Sequence, residues 1–221
     1  MKKIVIALFF ITSIVSSQEK VTKNLGDFNT LKVYRGLHIQ LIKSDTSKIV
    51  IEGEKSEEVV VKNVNGILKI SMTVLETFSA DKVLVNLYFS NEIDILNVNE
   101  GSIISSEEVF EQNKMELKAE EGGEINLELN TFYLDVKTVT GGIITLKGFS
   151  KNQNIKAYTG GIYEGKKLKT EYTNVTASTG GIATVNASNL VDAKSNLGAA
   201  ITIKGEPLEI KKKESLGGYV R

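Results

Sequence analysis

Beyond residue 25, apolar and polar residues alternate along most of the chain, and in its second half paired glycines punctuate the alternation. Gly122-Gly123, Gly141-Gly142, Gly160-Gly161 and Gly180-Gly181 begin 19, 19 and 20 residues apart; Gly198-Ala199 follows after 18 and Gly217-Gly218 after 19. Three copies read alike: Thr140-Gly-Gly-Ile143, Thr159-Gly-Gly-Ile162 and Thr179-Gly-Gly-Ile182. Counted from the first glycine, apolar residues fall at offsets three and five: Ile125 and Leu127, Ile144 and Leu146, Ala183 and Val185, Ile201 and Ile203. Alternation places one residue in two on the inside of a strand, and a fixed period of this length marks a solenoid. The expectation is an all-β, right-handed parallel β-helix with rungs of about 19 residues and glycines stacked at the corners. A second strand in each unit is expected from runs such as Phe132-Leu134-Val136 and Leu208-Ile210.

The first half alternates without the repeat. Leu31-Val33, Leu37-Ile39-Leu41 and Ile49-Ile51 each put apolar side chains on one face. Val59-Val61 leads through Asn65-Gly66 into Ile67-Leu68-Ile70, and Asn-Gly between alternating runs predicts an antiparallel hairpin. Val83-Val85-Leu87-Phe89 and Ile93-Ile95-Asn97 read as further strands, and 77–82 as the most loop-like stretch. The chain therefore divides into a β-strand module at 18–98, packed on one end of a parallel solenoid at 99–221. Near the other end Lys211-Lys212-Lys213-Glu214 breaks the apolar pattern, as a charged guard against end-to-end stacking would.

The start of the chain changes the picture of where this fold operates. Met1-Lys2-Lys3, an apolar run from Ile4 to Val15 and the exit Ser16-Ser17-Gln18 form a secretory signal over residues 1–17, too short to span a bilayer. The protein is thus expected in the periplasm, at the cell surface or secreted, without membrane insertion after signal removal. With no cysteine, it holds together by packing alone. Acids and bases balance at 27 each, and Arg35 and Arg221 are the only arginines, which argues against nucleic acid as a partner.

The order of these segments resembles the head GIN domain family, described as auto-transporter adhesins and widespread in Bacteroidota. The resemblance runs from Leu25-Gly-Asp-Phe-Asn-Thr-Leu-Lys-Val33 through Gly36-Leu-His-Ile-Gln-Leu-Ile42 and the Asn65-Gly66 hairpin. It continues into the Thr-Gly-Gly-Ile repeats and the tail Lys212-Lys-Glu-Ser-Leu-Gly-Gly218. It implies an exported β-helical domain covering 18–221, and it brings no catalytic residues.

Catalytic chemistry finds little support in the residues. Glycosidases need two carboxylates at a set separation, yet Glu57-Glu58, Glu107-Glu108 and Glu120-Glu121 are strand neighbours pointing to opposite faces. A lyase would want acids around a cation and a basic residue, and the repeat has no arginine before Arg221. His38, the single histidine, alternates toward solvent, and one His without Cys makes no ordinary transition-metal site. No cofactor or metal is expected. The Thr140, Thr159 and Thr179 column suits a β ladder. Of the tyrosines, Tyr163 sits at the inward offset and reads as core. Tyr133 and Tyr158 fall out of phase with their apolar neighbours, which makes them the candidate ligand contacts. The reading is a non-enzymatic adhesin, binding or scaffold module acting through flat faces on a glycan or a cell-surface protein. The alternative is a polysaccharide-degrading lyase or hydrolase on the same coil.

Overall fold

The computed structural model describes residues 20–221; the expected signal segment at 1–17 lies outside the described residues. Sixteen strands follow in order. They are β1 (Lys20–Asn24), β2 (Thr30–Tyr34), β3 (His38–Lys43), β4 (Lys48–Glu52), β5 (Val59–Val64), β6 (Ile67–Met72), β7 (Leu84–Phe89) and β8 (Ile95–Val98). Then come β9 (Ile103–Glu120), β10 (Glu124–Val139), β11 (Ile143–Tyr158), β12 (Ile162–Ser178), β13 (Ile182–Ser195), β14 (Ala200–Lys204), β15 (Glu209–Glu214) and β16 (Tyr219–Val220). β9 to β13 stack in parallel, each on the next, as the central rungs of a β-solenoid that has about seven turns in all, with rungs of roughly 19 residues.

Each long strand builds two walls. The part after a glycine corner lies in an outgoing wall; the part before the next corner lies in a returning wall. What the repeat predicts as two strands is one strand bent in the middle, where the inward phase slips. Phe132 and Tyr133 are therefore both exposed, although Thr131 and Leu134 on either side are buried. Phe132 thus drops out of the predicted inward set, and Leu208 and Ile210 are likewise exposed.

The corners explain the doubled glycine. Thr140 has φ of 50° and Gly141 of 73°, and the same left-handed pair recurs at Thr159-Gly160 and Thr179-Gly180. Two successive positive φ angles make a tight turn of the hairpin kind, closed here by the Gly142 amide donating to the Val139 carbonyl at 3.0 Å. The second glycine answers a different need. A Cβ on Gly142 would lie 2.0 Å from the Ala119 oxygen of the rung beneath, whereas one on Gly141 would meet nothing within 4 Å. Successive corners are tied by the middle glycine amide: Gly122 donates to the Thr140 carbonyl, Gly141 to Thr159 and Gly160 to Thr179, at 3.1–3.3 Å.

The same corner appears in the first half. Arg35 and Gly36 have positive φ, and the Gly36 amide donates to the Glu100 carbonyl at 2.9 Å. β2 and β3 thus form a coil, parallel to β8 and to the start of β9. Between them, the segment from 44 to 94 extends both walls. β7 and then the antiparallel β4 and β1 continue the outgoing wall beyond β3. β6 continues the returning wall beyond β2, and β5 closes the predicted Asn65-Gly66 hairpin. The expected loop is a 3-10 segment, Val74–Lys82. Ile93 is buried, but Leu96 and Val98 rather than Ile95 and Asn97 point inward after it.

Leu, Ile, Val and Ala fill the coil in columns such as Leu117, Val136, Ile155, Val175 and Ala193. Each such side chain removed from water contributes on the order of 1.5–3 kcal/mol for the larger members. In the neighbouring column of Met115, Leu134 and Val191 a polar patch intervenes: the buried Tyr163 hydroxyl donates to Gln153 Oε1 at 2.8 Å, and Gln153 Nε2 donates to Thr173 at 2.8 Å. At the last coil, β15 pairs with β13 and places Lys212 and Glu214 in the inward columns of Ala193 and Ser195. Glu214 accepts the Val220 amide at 2.5 Å, and Lys212 Nζ donates to the Val220 carbonyl at 3.4 Å. Among the described residues no helix is long and apolar enough to cross a membrane.

Candidate functional site

Parallel stacking turns sequence periodicity into columns, and the returning wall carries the most ordered set. Tyr133, Asn152, Tyr172 and Leu190 occupy one column at the bend. Two residues on lie Asp135, Asn154, Asn174 and Asp192. Together they line a groove of about 350 Å³. Tyr133 and Tyr172 are 48% and 41% exposed and stand two rungs apart with Asn152 between them; that separation is on the order of 10 Å. The Phe132 ring meets Tyr133 edge-on at 4.6 Å, and Lys151 lies over Phe132 at 4.8 Å. Asn152 Nδ2 donates to the Phe132 carbonyl at 3.2 Å, and Asn154 Nδ2 to Asp135 Oδ1 at 3.1 Å.

Of the two tyrosines singled out in the sequence, Tyr133 lies in this groove. Tyr158 is half-buried on the same wall, six positions further along its strand than Asn152, in register with Val139 and Ser178. The fold pairs Tyr133 with Tyr172 instead. Tyr163 is fully buried, and burial pushes its phenol far above the ordinary range.

A further column runs between the acidic-amide column and Tyr158. It begins with Lys62 opposite Lys69, passes to Lys32 and Asn97, and continues through Lys118, Lys137 and Lys156. Thr176, Lys194 and Lys213 complete it. Eight of its ten positions are lysine. Lys118 pairs with Glu116 at 2.5 Å, Lys137 with Glu120 at 2.9 Å and Lys194 with Asp192 at 3.7 Å. Sequence reading missed this ladder although its signal was available: lysine stands four residues before the first corner glycine in most rungs.

The outgoing wall holds a second groove, of about 460 Å³, in which Leu127 and Leu146 form an apolar floor bordered by Lys147, Lys166 and Lys167. His38 is exposed elsewhere on this wall, in register with Ile103. Among the described residues no three His, Cys, Asp or Glu side chains gather as metal ligands would.

The family model "Putative auto-transporter adhesin, head GIN domain" matches residues 27–207. No curated protein matches the chain. A "putative adhesin" from Bacteroides fragilis shares the fold at TM-score 0.85 and 16% identity, over 93% of this chain and 96% of that one. A "putative lipid binding protein" from Parabacteroides distasonis does so at 0.70 and 15%, over 93% and 96%. A "putative adhesin" from Parabacteroides merdae does so at 0.68 and 14%, over 93% and 96%.

Proposed function

The chain belongs to the head GIN domain family, and from that premise we propose that it is an exported, non-catalytic binding module that holds glycans on its returning wall. The observation that carries this reading is the groove between Tyr133 and Tyr172. Two exposed phenol rings two rungs apart offer apolar faces for sugar rings, and their hydroxyls add hydrogen bonds. The intervening Asn152, with Asp135, Asn154, Asn174 and Asp192 beside it, supplies the mixed donors and acceptors that hydroxyl groups need. Tyr158 borders the same wall and adds a lesser contact.

A glycan array probed with the purified protein tests the reading. Saturable binding to one glycan class is expected, weakened about tenfold by Tyr133→Ala or Tyr172→Ala and less by Tyr158→Ala. Binding indifferent to both groove tyrosines would overturn it.

A second reading, capture of an amphiphile, rests on one observation: the Leu127 and Leu146 floor of the outgoing-wall groove beside three lysines. A relative described as lipid-binding shares the fold. Saturable uptake of a fluorescent fatty acid, weakened by Lys166→Gln with Lys167→Gln at the border of the groove, is its test.

A further inference from the structure

We infer that the returning wall binds a linear anionic polysaccharide laid along the coil axis, its acidic groups held by the lysine ladder and its rings by Tyr133 and Tyr172. The inference rests on the glycan reading of the groove and names the class of glycan.

Stability gives no reason to build such a ladder. Like charges directly opposed across strands are destabilising. Neighbours in a stack are about 4.8 Å apart, a spacing at which two unit charges repel by roughly 0.9 kcal/mol even in bulk water. Composition does not force the arrangement either, since acids equal bases over the chain. Glu116, Glu120 and Asp192 neutralise three rungs, while Lys156 and Lys213 are exposed and in no ion pair among the described residues. A ligand with regularly spaced negative charge relieves the repulsion along the whole column, which spans about 40 Å at one strand spacing per rung.

The neighbouring columns select the polymer. The Asp135, Asn154, Asn174 and Asp192 strip has the groove tyrosines on one side and the lysines on the other, each two residues away along the strands. That offset is about 7 Å. A sugar chain seated on the strip meets rings to stack on, carboxylates and amides that accept from its hydroxyls, and ammonium groups for its acids. A nucleic-acid duplex fits poorly, because this wall has no arginine for bidentate phosphate contacts.

Titration of the purified protein with polygalacturonate and chondroitin sulfate, with fully methyl-esterified pectin as the neutral match, tests the inference. Tighter binding of at least one acidic polymer is expected, falling about tenfold from low to physiological ionic strength. The triple variant Lys118→Gln, Lys137→Gln, Lys156→Gln should lose roughly tenfold in affinity, and Lys23→Gln with Lys204→Gln, both exposed on the other wall, should lose none. All these sites are on the surface, so the variants keep the fold, checked by circular dichroism. Equal binding of the neutral pectin, unaffected by the lysine changes, overturns the inference and leaves glycan binding standing. Binding of no glycan on the array or in titration overturns both. Tighter binding of duplex DNA or of anionic phospholipid vesicles overturns the choice of occupant.

Discussion

The two glycines of each corner do different jobs, and substitution separates them. Gly141 needs only a left-handed backbone, so Gly141→Ala should cost about 1 kcal/mol in urea denaturation. Gly142 needs the absence of a side chain against the Ala119 carbonyl, so Gly142→Ala should cost roughly 3 kcal/mol. Equal costs would mean that contact between rungs is not what fixes the second glycine. A similar exchange of space operates inside the coil. The Tyr163 ring fills the volume that Leu127 and Leu146 fill two residues further on in their rungs, and a Cβ on Gly165 would lie 2.6 Å from it. Buried and bonded to Gln153, the Tyr163 phenol keeps its proton well above its ordinary value of 10.0. Its contribution is therefore complete below pH 10. Above that pH the unfolded chain releases a proton that the folded one retains, so stability should fall by about 1.4 kcal/mol per pH unit. Tyr163→Phe should remove this alkaline component while costing about 1–3 kcal/mol at neutral pH, because Gln153 loses its donor. Denaturation curves across pH, with tyrosinate absorbance, check both.

At the scale of the element, the long strands are parallel ladders whose last member must end without inviting another. β15 is exposed along its whole length, and its inward positions hold Lys212 and Glu214 rather than apolar residues. Inward charge at a terminal rung is an established defence against edge pairing. Replacing both by Val should therefore produce concentration-dependent self-association, seen by sedimentation velocity, without loss of β structure. A variant that stays monomeric would show that the charges serve only the contacts to Val220. The bend within each strand was not legible beforehand. The inward phase slips at Thr131 and Ser150, with a left-handed Gly148 before the second bend but no glycine before the first, so alternation alone does not show which residue absorbs the turn.

At the scale of the molecule, columns are the unit that matters for function. Tyr133 and Tyr172 are far apart in sequence and share one column of the wall, two rungs apart, whereas Tyr133 and Tyr158 share an alternation pattern yet lie at opposite margins of it. The ladder shows the same division between what was readable and what was not. Lys118, Lys137 and Lys156 recur at the rung period and could have been aligned from the corners. Lys62 and Lys69 could not, because they join through a hairpin in a segment where no repeat runs.

Alone, then, the sequence determined the coil, its period and its corners, because each is set by local rules: alternation for the walls, positive φ and absent Cβ for the turns. Tertiary structure decided which surface residues face one another. That depends on register between rungs and on how the segment from 44 to 94 continues both walls, and neither is encoded within a single rung.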